Sequence, residues 1–270
     1  MLKLNAYQLK WIAIIGMILS HMLIAWWDII PVFLRFPMYI SGGFTFPIMA
    51  YFVAEGYKHT SNLKKYILRI LVVGLIAMPL HIIALSIPFG GGFPLFYPWL
   101  NIMFSIATGL LILKMYDSVK TKAIFWLIYI IVIVPISLLT LEWYFIGVTM
   151  ILMNHIIRNE TARRVVPPVF AGVCMSGIAL MSADAGVMVS GLPEGMEFFL
   201  IRPEFVALQT VFGLGCVLAG LLLLGYNGER GPKSKWLFYI FYPVHFFLLG
   251  AVGLALGLFE ISWIGVWFGF

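Results

Sequence analysis

Charged side chains are scarce in this sequence, because only 10% of its 270 residues are Asp, Glu, Lys or Arg. Soluble globular proteins carry about 25% charged residues. Hydrophobic residues make up 63% of the chain, and they form apolar runs of about 20 residues, the length at which a helix crosses a bilayer. The composition therefore excludes a soluble enzyme and a disordered segment. It predicts an all-α, polytopic membrane helical bundle.

Cysteine is also scarce. Cys174 and Cys216 lie far apart in apolar runs, outside any Cys-x-x-Cys spacing, so we predict neither a disulfide framework nor a metal site. The net charge of +6 does not indicate a nucleic-acid partner, because the Lys and Arg residues fall in short loops between apolar runs. The first apolar run is long enough to span and has no small-residue cleavage motif, so no removable signal peptide is predicted.

Nine apolar windows predict about nine transmembrane helices in a single domain over residues 1–270. The windows are approximately 7–27, 37–57, 64–87, 98–116, 123–141, 143–157, 166–188, 203–226 and 235–258. Only Glu142 and its neighbours separate the fifth window from the sixth, and the sixth is short. A tilted or partial span is therefore an alternative to a full crossing there.

The distribution of basic residues predicts the orientation of the chain. If the N-terminus is cytoplasmic, all of the 17 Lys and Arg residues except Arg35 and Arg202 fall in cytoplasmic segments or at the helix ends beside them. Cytoplasmic loops carry such an excess of Lys and Arg in membrane proteins. We therefore expect an odd number of spans, with the N-terminus inside and the C-terminus outside.

Lys10 and His21 are the most informative polar residues of the first window. They are eleven residues apart, which is close to three helical turns and roughly 16 Å of rise, so both side chains project from one face. In the outer half of the membrane a neutral His21 is suited to act as a general base near neutral pH. The alternative is that His21 only hydrogen-bonds a neighbouring helix and holds the bundle together.

A basic cluster follows the second window, beside the Ser61 and Asn62 caps of the third. A capped helix N-terminus with adjacent cations is suited to bind an anion such as a phosphate. Binding of anionic lipid headgroups is the alternative, and for any single lysine it is the simpler one. The candidate anion-binding residues are Lys58, His59, Lys64, Lys65 and Arg69, together with Lys10 in the first window.

Several motifs together resemble the TraX family, which includes the conjugative F-pilin acetylase and is related to the transmembrane acyltransferases that use acetyl-CoA. The resemblance covers nearly the whole chain. It is carried by the spacing of Lys10 and His21 and by five segments. These segments are GGFTFPI (42–48), AEGYKHT (54–60), KYILR (65–69), LNIMFS (100–105) and FYIFYPVH (238–245).

This resemblance implies a bacterial inner-membrane acetyltransferase with acetyl-CoA as co-substrate. The nucleotide phosphates would bind the cytoplasmic cations, and His21 would be the general base. The acceptor would be an extracytoplasmic glycan or a peptide amine. Asn101, Tyr239 or Tyr242 would stabilise the oxyanion, whereas His245 after the Pro243 kink would act in catalysis or in structure. A covalent acetyl-histidine intermediate is an alternative.

Two residues depart from the family pattern. The family commonly has Asp before the first-window histidine, where this chain has Ser20, and Arg where this chain has Gly43. We therefore expect Ser20 or a group from another helix to orient the His21 ring. A transporter or flippase without acyl-transfer chemistry is the competing function, although the windows do not divide into two similar halves.

Overall fold

The computed structural model describes residues 3–86, 100–184, 203–233 and 235–258. Within these residues the chain is helical, apart from short connections and two isolated β-bridges. The helices are α1 (Ala6–Ala25), α2 (Val32–Gly43), α3 (Thr45–His59), α4 (Leu63–His81), α5 (Ile102–Ser118), α6 (Lys122–Ile128), α7 (Val134–Thr140), α8 (Tyr144–Ile156), α9 (Glu160–Asp184), α10 (Pro203–Leu224) and α11 (Lys235–Ala255). One π-helical segment (Ile82–Ser86) extends α4, and another (Tyr129–Ile133) joins α6 to α7.

The helices confirm the all-α prediction and correspond in order to the nine predicted windows. The prediction of one helix over the second window, 37–57, was wrong. The helical segment begins at Val32, and Phe44 divides it into α2 and α3. The seventh begins earlier than predicted, at Glu160. Residue 87, residues 98 and 99, and residues 185–188 of the predicted windows lie outside the described residues.

Five helical segments of the described chain are long and apolar enough to cross a membrane. These segments are Ala6–Ala25, Val32–His59, Leu63–Leu85, Ala207–Leu224 and Phe238–Ala255. The chain is therefore a membrane protein with several spans. The number of nine crossings and the orientation of the chain stay predictions.

The basic segments of the sequence meet at one end of the bundle, which we call the basic end. Hydrogen bonds and ion pairs join the ends of α3, α5, α8 and α10 and the start of α9, and the chain that precedes α1 also bonds there. The contacts are Tyr57–Asp117 (2.8 Å), His155–Asp117 (2.9 Å), Arg163–Glu55 (2.7 Å), Arg164–Tyr226 (3.0 Å) and Leu4–Gly225 (2.8 Å).

Glycine residues bring α2 and α10 into backbone contact. A Cβ atom added to Gly43 would collide with the backbone of Phe212 and Gly215, and one added to Gly215 would collide with the Ile40 carbonyl. Small residues of this kind allow helices to pack closely in lipid, where van der Waals contact replaces the hydrophobic effect. The contact also explains why position 43 is glycine rather than arginine, because an arginine side chain has no space between the two helices.

We predict that Gly43→Ala and Gly215→Ala each destabilise the protein by about 1–3 kcal/mol, because the added methyl group forces α2 and α10 apart. The measurement is the thermal unfolding midpoint of the purified protein in detergent. Gly177→Ala in α9 is the matched control, since its Cβ would meet no atom within 4 Å and alanine favours the helix. Equal midpoints for all three variants would contradict the close contact.

Candidate active site

Two of the predicted catalytic residues form a partly buried pair between the first and last described helices. The Nδ1 atom of His21 in α1 lies 3.0 Å from the Nε2 atom of His245 in α11. The two rings are stacked, with an interplanar angle of 13°. Phe246 packs against both rings, at centroid distances of 5.1 Å from His21 and 3.9 Å from His245. The structure therefore joins residues that are 224 positions apart in the sequence.

The hydrogen bonds of this pair assign the protons on both rings. His245 Nδ1 lies 3.3 Å from the Phe241 carbonyl oxygen, and a carbonyl can only accept, so Nδ1 carries the proton and donates. Nε2 of a neutral His245 then has a lone pair and accepts from Nδ1–H of His21. The remaining nitrogen of His21, Nε2, is left with its lone pair. The pair thus orients His21 as a proton acceptor.

His245 takes the orienting role for which the sequence offered Ser20 or another helix. The Ser20 hydroxyl donates to the Met17 carbonyl oxygen at 3.1 Å within its own helix. Its side chain also faces Gly42 of α2, where an added Cβ would clash with Ser20. Ser20 therefore serves the packing of α1 against α2, and the group from another helix orients the imidazole.

Tyr242 and Asn101 differ in what they offer to a reacting group. The Tyr242 ring contacts His245 at a centroid distance of 5.5 Å, and its buried hydroxyl makes no hydrogen bond to any described residue. The buried Asn101 amide caps α5 through the Met103 N–H and donates to the Gly74 carbonyl oxygen at 2.8 Å. Asn101 thereby ties α5 to α4. The roles of both residues in stabilising an oxyanion stay predictions.

A cavity of about 200 Å³ lies between α1, α3, α4, α5 and α11. Lys10 and Arg230 supply positive charge to its wall, and Lys10 Nζ lies 5.0 Å from the centre of the Phe52 ring. Tyr66 and Tyr239 also line the cavity. Tyr239 precedes His245 by six residues on α11, which is about 9 Å of helical rise. Neither His21 nor His245 is among the described lining residues of the cavity.

The predicted anion-binding loop lies apart from this cavity. Lys58 Nζ and His59 Nε2 contact the Glu55 carboxylate at 3.2 and 3.8 Å, while Lys64 and Lys65 are exposed. None of them is among the described lining residues. Arg69 is also not one of them, but its guanidinium lies 5.9 Å from the ring centre of the lining residue Tyr66.

Sequence reasoning missed three residues of this region. Arg230 and Glu142 enter the sequence prediction only as a basic loop residue and as the break between two windows, and no site role is predicted for His81. The structure places Arg230 in the cavity wall and His81 Nε2 at 3.9 Å from Glu142 Oε2. The only available signal was that a carboxylate and a histidine are expensive within apolar segments.

Comparisons with known proteins agree with the resemblance seen in the motifs. The family model described as TraX protein matches residues 5–253. The probable fimbrial assembly protein FimC, serogroup H1, of Dichelobacter nodosus is 28% identical over 254 residues, which cover 91% of this chain and 94% of that protein. No solved structure matches the chain. Because the family model matches most of its length, the chain belongs to the TraX family.

Proposed function

We propose that this protein is an acetyltransferase of the bacterial inner membrane. It moves an acetyl group from cytosolic acetyl-CoA to a hydroxyl or amine acceptor, a pilin or other peptide amine or a cell-surface glycan, at the outer side. The observation that carries the proposal is the 3.0 Å contact between His21 and His245, which leaves His21 Nε2 as a proton acceptor. The printed name of the Dichelobacter relative supports a role connected with fimbriae.

The donor enters from the basic end. Lys10 and Arg230 in the cavity wall are suited to bind phosphate groups, and the aromatic residues Phe52 and Phe238 cover the apolar parts of the wall. The volume of about 200 Å³ is below the roughly 300–1,000 Å³ of pockets that enclose drug-sized ligands. The cavity thus suits one portion of acetyl-CoA, with the remainder reaching the exposed cations near Lys64 and Lys65.

His21 takes up one proton and later releases it during acetyl transfer. Its Nε2 atom takes the proton of the acceptor hydroxyl or amine as the acceptor attacks the thioester carbonyl carbon, and a bond forms between that carbon and the acceptor. The Tyr242 hydroxyl is a candidate donor to the resulting oxyanion. When the carbon–sulfur bond breaks, His21 returns the proton to the leaving sulfur. An acetyl-His21 intermediate would use the same lone pair.

The first prediction concerns His21 itself. His21→Ala should lower the release of labelled acetyl from acetyl-CoA by about 10²–10⁴-fold, because general base catalysis contributes that much. The assay uses purified protein in lipid vesicles, with water, a peptide with a free amino terminus and a sugar as acceptors. His155→Ala, at the basic end, is the control and should retain activity. A transporter or flippase would leave the thioester intact in all samples.

A second prediction concerns the orienting role of His245. His245→Phe keeps a ring in contact with Phe246 but removes the partner of His21 Nδ1. We expect kcat to fall by about 10–100-fold with little change in KM for acetyl-CoA, because the ring of His21 loses its fixed tautomer and orientation. A change confined to KM would instead assign His245 to donor binding.

A third prediction separates the two candidate sites for the phosphates. Lys10→Gln and Arg230→Gln should each raise KM for acetyl-CoA by about 10–150-fold while kcat changes little, since a charge-assisted contact of about 1.5–3 kcal/mol is lost. The exposed Lys120→Gln is the control. If Lys64→Gln raises KM and both cavity variants do not, the phosphates bind the loop and the cavity assignment is wrong.

A further inference from the structure

Glu142 lies in a rigid turn between α7 and α8, beside the histidine pair. Its backbone N–H donates to the Leu100 carbonyl oxygen at 3.0 Å. Its own carbonyl oxygen accepts from the Ser105 hydroxyl at 2.5 Å. The turn is therefore fixed to the start of α5 on both sides of the residue. The position of Glu142 is therefore determined by α5 as well as by α7 and α8.

The backbone after Glu142 is strained. Trp143 and Tyr144 have φ angles of 66° and 47°, in the left-handed region that bulky residues rarely adopt. Each such residue costs of order 1–3 kcal/mol, and strain of this kind persists where surrounding contacts determine the conformation. Glycine would relieve it, yet the chain has two aromatic residues here. The strained turn fixes the direction in which the Glu142 side chain leaves the backbone.

The Glu142 carboxylate faces the histidines. Its Oε2 atom is buried, makes no hydrogen bond to any described residue and lies 3.9 Å from His81 Nε2. His81 ends α4 immediately before the π-helical segment and packs against Phe246 at 5.0 Å. Phe246 also contacts His21. The Glu142 side chain is 27% exposed, so Oε2 is the buried part of the carboxylate. A buried oxygen without a close hydrogen-bond donor is costly, which argues for a functional reason for its position.

The titratable groups around this carboxylate come from three helices. They are His21 of α1, His81 of α4, and Tyr242 and His245 of α11. A neutral pair of histidines needs no counter-charge. Once His21 Nε2 has taken a proton, however, the cluster carries a positive charge in apolar surroundings, where an opposite charge is worth more than in water.

We infer that Glu142 is a positioning residue that acts through His81 to stabilise the protonated state of the His21–His245 pair. This inference rests on the proposed function, in which His21 accepts a proton from the acceptor. The carboxylate favours the imidazolium form, and His81 lies between the two charges as a polarisable hydrogen-bonding ring. Glu142 itself keeps its proton state during transfer, so the proton taken by His21 is the one returned to sulfur.

The test measures proton uptake without any substrate. Histidine side chains of the full-length protein are labelled with ¹⁵N, and their NMR signals are followed against pH in lipid nanodiscs. In Glu142→Gln, we expect the midpoint of the His21–His245 titration to move to lower pH by about one unit, because an opposite charge nearby shifts protonation by about 1–3 units at 4–6 Å and less at greater distance. Glu142→Asp keeps the charge and should restore most of the shift.

Glu229→Gln removes an exposed carboxylate as the matched control. An unchanged midpoint in a folded Glu142→Gln variant overturns the inference, as does equal behaviour of the Gln and Asp variants.

Activity adds a second, separate readout. In Glu142→Gln, the acidic limb of the pH profile of kcat should move to lower pH, as the NMR midpoint does. The KM for acetyl-CoA should not change. A purely structural residue would lower activity without moving that limb. If the wild-type protein shows no His21-dependent acetyl release, the proposed function fails, whereas the NMR titration still decides whether Glu142 stabilises the protonated pair.

Discussion

The structure depends on one hydrogen bond between imidazoles, His21 to His245, that joins α1 to α11. In hydrocarbon an unpaired polar ring is expensive, so each histidine stabilises the position of the other. The chain of donors ends on the Phe241 carbonyl oxygen, two residues before Pro243 in the same helix. The bond therefore contributes both to helix packing and to the chemistry of the site. The same arrangement that gives each ring a hydrogen-bond partner leaves Nε2 of His21 with its lone pair.

The cavity at the basic end and the histidine pair lie at different positions along the same two helices. Lys10 and His21 share a face of α1, and Tyr239 and His245 share α11, so two helices connect the cavity at the basic end with the pair. A thioester bound through its phosphates at the basic end has its reactive group far from those phosphates. A long, flexible donor is the class of substrate that such a separation accommodates.

Much of the fold was accessible from the sequence, because apolar length determines where a membrane helix can lie. The nine windows overlap the described helices in order, although the second and the fifth each cover two helices, and the motif pattern indicated the family correctly. The break at Phe44 was missed because α2 and α3 form one continuous apolar run, and the contact between Gly43 and Gly215 that fixes α2 is long-range. Arg230 and Glu142 were missed for the same reason, since only tertiary contacts distinguish them from topology and loop residues.

The departures at Ser20 and Gly43 have a common consequence for the electrostatics of the site. Both positions lie in helix contacts, Ser20 against Gly42 and Gly43 against α10, and a side chain at position 43 would collide with α10. The His21–His245 relay consequently ends on a neutral carbonyl, which stabilises an imidazolium less than a carboxylate does. Glu142 is the carboxylate that the described part of the chain places beside this cluster. In the role inferred for it, Glu142 supplies the negative charge that neither Ser20 nor the Phe241 carbonyl provides.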